Sequence, residues 1–266
     1  MGQLLSVASL NTRGTPLFGS QLAERYQAIG EFLEASDVDI VNFQEVLSYY
    51  HLRQLTKHLP SFRYTVHRRS TVGPAGGLVT MSRRQTVGKV YQRFPMPPAR
   101  LTASLPRLAR FMAPLKGILM TRLEEPAVWV VNTHLLANFD GDWSAKNRYY
   151  ALHQHQLATL ARVLGSIAGP FIVSGDFNVA RDSSLFEDFT AESRLVDAFG
   201  GACPPTFHPE YLGPGESSHC IDFLMFSGEK IQAEQARLIF TDKVPLASGP
   251  DFVSDHVGLA VTVTVD

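Results

Sequence analysis

Hydrophobic and polar positions follow one another along this chain in blocks of two kinds. Short, nearly continuous apolar runs suit strands buried on both faces: "QLLSVASLN" (Gln3 to Asn11), "VDIVNFQEV" ending at Gln44 and Glu45, "KGILMTRL", "AVWVVNTHL", "FIVSGDFN", "CIDFLMFS" and the closing "VGLAVTVTV". Shorter strands are predicted around Arg63 to His67 and in "GGLVTMS", Gly76 to Ser82. Between them the period lengthens. Leu22, Tyr26, Ile29 and Leu33 keep helical spacing behind a Ser20 cap, Leu52, Leu55 and Leu59 keep it behind Ser48, and a long helix is predicted from about Ser144 to Leu164. Several strands in direct succession, broken by helices at irregular intervals, predict an α/β chain built as a sandwich of mixed sheets flanked by helices.

Residues 91–115 interrupt this rhythm. They are Pro-rich at first and then place Leu101, Leu105, Leu108, Phe111 and Met112 among Arg100, Arg107 and Arg110. An amphipathic helix packed on the edge of the sandwich is one reading. The other is contact with a membrane surface, the apolar side inward and the arginines on headgroup phosphates.

The apolar runs share a peculiarity. Five of them end or begin on polar groups, giving Asn11, Glu45, Asn132 with His134, Asp176 with Asn178, and Asp222; the last strand is entered through "SDH", Ser254 to His256. Each fragment alone has a plain structural reading: "GDFN" as an Asx turn, "SDH" as a cap, His134 as a hydrogen-bonded core histidine, Asp222 as a salt-bridge partner. Burying so many unpaired polar groups is costly, so their recurrence at strand ends points to one shared site with a charged occupant. Carboxylates, amides and imidazoles without cysteine suit a hard ion such as Mg²⁺ or Mn²⁺ better than zinc. A hard ion facing an anionic substrate suggests phosphate chemistry, with a carboxylate-held histidine taking a proton from water.

Composition narrows the setting. With 266 residues and 45% hydrophobic content the chain is expected to form one domain over residues 1–266. Lysine and arginine number 24 against 25 acids, so no overall basic field recruits nucleic acid. The two cysteines, Cys203 and Cys220, form neither a CxxC pair nor a disulfide framework; reduced thiols are the favoured reading and a single disulfide the alternative. No signal peptide or membrane-spanning run is read, which places the expectation in the cytoplasm. "MGQLLS" fits a myristoylation pattern but runs straight into the first strand.

The ordered set "SLNTRG", "NFQEV", "NTHL", "SGDFNV", "IDFLMF" and "SDHVGL" resembles the endonuclease/exonuclease/phosphatase superfamily, with the fold of DNase I, over residues 7 to 260. The resemblance implies a four-layer α/β sandwich, two mixed β-sheets flanked by helices. It also implies Glu45 as principal metal ligand with Asn11 beside it and Asp255 contributing. His256 becomes the general base oriented by Asp222, Asp176 and Asn178 orient water and a phosphate oxygen, and His134 stabilises the transition state or assists the leaving group. Arg13 stands where repair nucleases of the family carry aspartate, which points away from an abasic-site nuclease. "NTRGTPL" and the Lys116–Gly117 pair look instead like neutral sphingomyelinases, with Arg13 in place of tryptophan; Cys220 stands where many relatives have arginine. The expected function is a Mg²⁺-dependent phosphodiester hydrolase acting on a lipid-like or other small phosphodiester. A metal-dependent nuclease on DNA or RNA is the alternative, and a binding protein that kept only the fold is the third reading.

Overall fold

The computed structural model describes residues 2–14, 21–228 and 230–266. Two six-stranded sheets face each other. The first runs in the order β11 (Ile231–Ile239), β12 (Gly258–Val265), β1 (Gln3–Asn11), β2 (Ile40–Gln44), β4 (Val79–Ser82), β3 (Tyr64–Val66). The second runs β5 (Thr86–Arg93), β6 (Gly117–Leu123), β7 (Trp129–His134), β8 (Phe171–Asp176), β10 (Asp222–Ser227), β9 (Leu195–Asp197). Within each sheet one central pair is parallel, β1 with β2 and β7 with β8, while the other neighbours are antiparallel.

Period-two alternation divides each strand between two environments. In β1, Ala8 and Leu10 join an outer cluster with Tyr26, Ile29 and Leu33 of α1 (Leu22–Glu34) and Leu55 of α2 (Tyr49–Lys57), whereas Leu5 and Val7 belong to the large cluster between the sheets. On the outer side of the second sheet, Phe223 stacks on Phe186 of α6 (Ser184–Ser193) with centroids 4.0 Å apart, and Leu157, Leu160 and Leu164 of α5 (Tyr150–Gly165) join the same core. The layers are therefore helix, sheet, sheet, helix.

The space between the sheets changes character along the strands. Leu5, Val7, Ile40, Val130, Ile172 and Leu224 fill one end. Toward the C-terminal ends of β1, β2, β7 and β8 the buried residues become Ser9, Asn11, Asn42, Gln44, Asn132, His134, Ser174 and Asp176. These polar groups satisfy one another across the gap: Asn42 donates to Val131 O (3.1 Å) and Ser174 Oγ (3.0 Å), Gln44 donates to Asn132 Oδ1 (2.9 Å), and Asn132 donates to Phe43 O (3.0 Å) and Val79 O (3.1 Å). Buried polar groups cost little when paired in this way, and the pairs lock the register of one sheet on the other.

Some predicted elements shift. Ser48 caps α2 by accepting from His51 N, as its position predicts, but the Ser20 cap lies outside the described residues. The long helix begins at Tyr150 rather than near Ser144, because Asp142, Ser144 and Asn147 take up turn hydrogen bonds first. Tyr91 to Arg93 complete β5 instead of opening the excursion, and the rest of it forms two short helices, α3 (Ala99–Thr102) and α4 (Arg107–Met112). Among the described residues no helix is long and apolar enough to cross a membrane.

Candidate functional site

The polar end of the inter-sheet space gathers the predicted residues. Asp176, the last residue of β8, lies at its centre. Asn11 at the end of β1 donates from Nδ2 to Asp176 Oδ2 at 2.9 Å, joining the two sheets. His256 Nε2 is 3.8 Å from that oxygen on one side and His134 Nε2 3.4 Å on the other. Behind His256, Asp222 Oδ2 is 2.9 Å from Nδ1. Strand register sets two of these neighbours: antiparallel β10 puts Asp222 opposite Asp176, and parallel β7 puts His134 opposite Asp176.

Local backbone fixes the aim of these groups. Asn178 has a left-handed backbone (φ 51°), its N–H donates to Asp176 Oδ1 at 2.9 Å, and its Nδ2 donates to Leu135 O at 3.2 Å. The end of β8 needs Gly175, since a Cβ there would sit 1.9 Å from Thr133 O of the paired strand. Glu45 is left-handed too (φ 61°), half-buried at the exit of β2, and Gly14 packs so closely that a Cβ would lie 1.8 Å from Glu45 O. Ser254 donates to Asn11 O at 2.6 Å and accepts from His256 N at 3.2 Å, so the "SDH" turn is stitched to the end of β1. The half-buried Asp255 has Arg13 Nε 3.6 Å away, and the Arg13 guanidinium lies 4.1 Å from the centroid of the Tyr211 ring.

Lys116 completes the row. It is buried at the entrance to β6, where pairing of Gly117 with His134 carries it alongside; its Nζ is 2.8 Å from His134 Nε2 and 3.1 Å from Nδ1. The sequence pattern placed it at a strand entrance, and only the resemblance singled it out. The physical signal available in the sequence was a cation directly ahead of an apolar strand.

Charge is distributed unevenly here. Burial pushes Asp176 up to about 7, assisted by Asp222 and opposed by His256 and the Asn11 hydrogen bond. Burial pulls His256 down, but Asp222, Asp176 and Asp255 together outweigh it and hold this imidazole well above its ordinary range. His134 is driven well below its usual value by burial, then by Lys116 and His256. Lys116 is lowered to about 8 by burial, against the pull of Glu45 and Asp176.

The donor set fits a hard divalent cation. Asp176, Asp222 and His256 bring ligand atoms within 4.8 Å of one another, but hydrogen bonds occupy much of that capacity. Glu45 and Asp255 are only partly buried, Asn11 is buried against Asp176, and none of these donors is sulfur. Asn11 Oδ1 accepts from Arg13 N at 3.0 Å and retains a lone pair. Four carboxylates, Glu45, Asp176, Asp222 and Asp255, act on the basic groups around them, and their oxygens are the hard donors that a divalent cation would take.

Known proteins share this framework. The chain is 23% identical over 283 residues to the Caenorhabditis elegans "Putative neutral sphingomyelinase", covering 94% of this chain and 63% of that protein, so it spans under two thirds of the relative's length. Among solved structures, D. rerio TDP2 complexed with single strand DNA product superposes with a TM-score of 0.75 at 18% identity over 98% of each chain. Sphingomyelinase C from Streptomyces griseocarneus gives 0.72 at 17% identity over 99% of this chain and 100% of that one. Beta toxin from Staphylococcus aureus, a mutant with bound magnesium ions, gives 0.72 at 18% identity over 97% and 99%. The fold is thus the DNase I-like sandwich that the strand-end motifs resembled. A family model matches residues 8–256, and the chain belongs to the Endonuclease/Exonuclease/phosphatase family.

Proposed function

We propose that this protein is a metal-dependent phosphodiester hydrolase in which water attacks phosphorus, with a lipid-like phosphodiester as its substrate. One observation carries the reading: a buried row, Asp222–His256–Asp176–His134–Lys116, that offers a base on one side of a carboxylate and a cation-backed imidazole on the other. Residues 1–266 act as one domain in this reading, supported by the pairing of the first strand with the last. A cytoplasmic setting remains part of the proposal.

Glu45, Asn11 and Asp255 would hold the ion, with Mg²⁺ the proposed species and Mn²⁺ its substitute. When bound, such an ion neutralises phosphoryl and leaving-group charge. His256 works in its neutral form: with Nδ1–H given to Asp222, the Nε2 lone pair takes a proton from water. Asp176 and the Asn178 amide orient that water and a phosphate oxygen. Neutral His134 supplies a hydrogen bond, and the Lys116 ammonium against it supplies positive charge, where negative charge grows in the transition state.

The lipid reading draws on the rim of the site. Met96, Leu108, Phe111 and Phe139 are 70%, 60%, 67% and 68% exposed, beside the exposed Arg100, Arg107 and Arg110. The other side of α4 packs Ala109 and Met112 on Leu136, two residues beyond His134. α4 is thereby anchored on the segment that follows His134, and its exposed apolar residues are the surface that would meet lipid in this reading. Met112 faces inward, so Leu108 and Phe111 are the residues to test. The same arginines support nuclease activity as the second reading.

The test is a substrate panel of sphingomyelin and lysophospholipid vesicles, single- and double-stranded DNA, RNA, phosphotyrosyl DNA ends and inositol phosphates, with Mg²⁺ and with chelator. Hydrolysis of a vesicle phosphodiester, lost with chelator, is expected. Glu45→Gln should abolish turnover and weaken Mg²⁺ binding by calorimetry in a folded protein; unchanged affinity removes Glu45 as ligand. Leu108→Glu/Phe111→Glu should lose liposome co-sedimentation. Cleavage of nucleic acid alone puts the second reading first.

A further inference from the structure

The two cysteines, at the two ends of one loop, meet at the base of the segment that carries Phe207 and His208. Thr206 N donates to His219 O at 3.0 Å, so the two ends of the loop run side by side, and the thiols of Cys203 and Cys220 face each other closely enough to share a hydrogen bond. Both are free thiols. Both are buried, at 7% and 6% exposure, so a small oxidant is the one they would meet. Arg181 closes the arrangement: its Nε donates to Cys220 Sγ at 3.4 Å, its backbone N–H to Cys220 O at 3.0 Å, and its guanidinium is anchored by an ion pair with Asp197 and by the Phe223 ring 5.0 Å away.

We propose that Cys203 and Cys220 form a peroxide-sensitive dithiol that closes to an intramolecular disulfide and resets the seat of the Asp222–His256 pair. The geometry assigns the roles. Cys220 receives the Cys203 hydrogen bond and faces the Arg181 cation, which together lower its pKa against the opposing effect of burial; the same hydrogen bond, with burial, raises Cys203. Cys220 is then the attacking thiolate. Its sulfur bonds to one peroxide oxygen as the O–O bond breaks and hydroxide leaves, giving a sulfenic acid. The Cys203 sulfur attacks that sulfur, the S–O bond breaks, and water leaves once the Cys203 proton is transferred. Two thiols lose two electrons, and hydrogen peroxide is reduced to two waters.

The consequence for the site follows from what the loop holds. Thr206 Oγ1 accepts from the backbone N–H of Ile221 and of Asp222, both at 3.0 Å. The Phe207 ring meets His256 edge-on at 5.1 Å, and His208 N donates to Asp255 O at 2.8 Å. A covalent bond at the base of this loop takes the Cys220 sulfur from Arg181 Nε and from Asp222 O, 3.5 Å away, and shifts the backbone from which Asp222 reaches His256.

The inference does not depend on which phosphodiester is cleaved, because its primary readout is thiol chemistry. Full-length wild-type protein treated with hydrogen peroxide should lose both thiols without dimerising, with a mass decrease of about 2 Da that a dithiol reductant reverses. Cys203→Ser should stop at a dimedone-trappable sulfenic acid on Cys220, and Arg181→Gln should slow the reaction by about tenfold. The His256 ring resonances should shift on oxidation and return on reduction. Two thiols still titrating after treatment, intermolecular dimers, or trapping at Cys203 would each overturn the dithiol. Unmoved His256 resonances in the oxidised protein would overturn its coupling to the site.

Discussion

His256 and His134 flank the same carboxylate oxygen, 3.8 and 3.4 Å from Asp176 Oδ2, and both are buried. Their backing differs. Asp222 stands behind His256, and Lys116 lies against His134. Burial disfavours the imidazolium in both; Asp222, Asp176 and Asp255 more than reverse it for His256, while Lys116 deepens it for His134. Burial is common to both, so the difference between them comes from the charges around each, Asp222 first for His256 and Lys116 first for His134. The pair divides the work of the proposed hydrolysis accordingly: a basic imidazole that accepts a proton and a neutral one held beside a cation.

Breaking the acidic side should have the largest effect. Asp222→Asn removes the charge and the acceptor that select the Nδ1–H tautomer, and turnover should fall by about 10³-fold. In metal-free protein the His256 titration, followed by NMR of the ring protons, should move to lower pH than in the wild type. An unmoved midpoint would refute the assigned backing. Mg²⁺ sharpens the same experiment. An ion held by Glu45, Asn11 and Asp255 adds positive charge near His256 and should draw the wild-type midpoint down, freeing the base at neutral pH. Activity should rise with pH through that midpoint, since the base works only when deprotonated.

Breaking the basic side should cost less. Lys116→Met keeps the bulk but leaves His134 without its cation; turnover should fall by about 10²-fold. His134 should then titrate closer to its ordinary range, because one of the two groups that lower it electrostatically is gone. A purely structural role for Lys116 would change stability while leaving the His134 midpoint in place. NMR titration of the folded variant separates the two.

The two sides were not equally legible in the sequence. Asn11, Asp176, Asp222 and His256 each stand at the edge of an apolar run, so the contrast itself marks them; strand pairing then sets Asp222 opposite Asp176, and the Ser254 turn ahead of β12 brings in His256. Lys116 also stands at the edge of such a run, but a lysine ahead of a strand reads as a solvated charge until the β6–β7 register sets it on His134. The fold shows the same divide. Buried β1, β2, β7 and β8 are plain in the pattern, whereas β11 hides: only Ile231 and Ile239 at its ends are fully buried, and a bulge between Ala233 and Gln235 breaks the alternation. α6 lay beyond the pattern reading although Ser183 caps it, accepting from Phe186 N at 3.3 Å. The meeting of Cys203 with Cys220 depends on a loop whose course no local period encodes.

A third buried histidine tests the rule with the smallest effect on turnover. Among the described residues, His153 on α5 has neither a carboxylate nor a lysine behind it: its Nε2–H donates to Leu136 O at 2.8 Å, and its Nδ1 has no hydrogen-bond partner there. Gln156 Oε1 accepts from Leu136 N at 3.2 Å, so α5 holds both backbone groups of the residue that follows β7 by two positions. Burial lowers His153 to about 4, with the carbonyl hydrogen bond opposing. The folded value lies below the unfolded one near 6.5, so as pH falls through 6.5 the unfolded chain takes up a proton that the folded protein refuses. Stability is full above pH 6.5 and drains until about pH 4, a loss of about 3 kcal/mol from this residue. His153→Gln, whose amide can keep the bond to Leu136 O, should cost about 1 kcal/mol at pH 7 and leave turnover within a fewfold of wild type. Urea unfolding at pH 7 and pH 4.5 is the measurement, and the variant should lose distinctly less stability between them than the wild type. An equal loss in both would mean that His153 is not the neutral, carbonyl-held control that the two active-site histidines require.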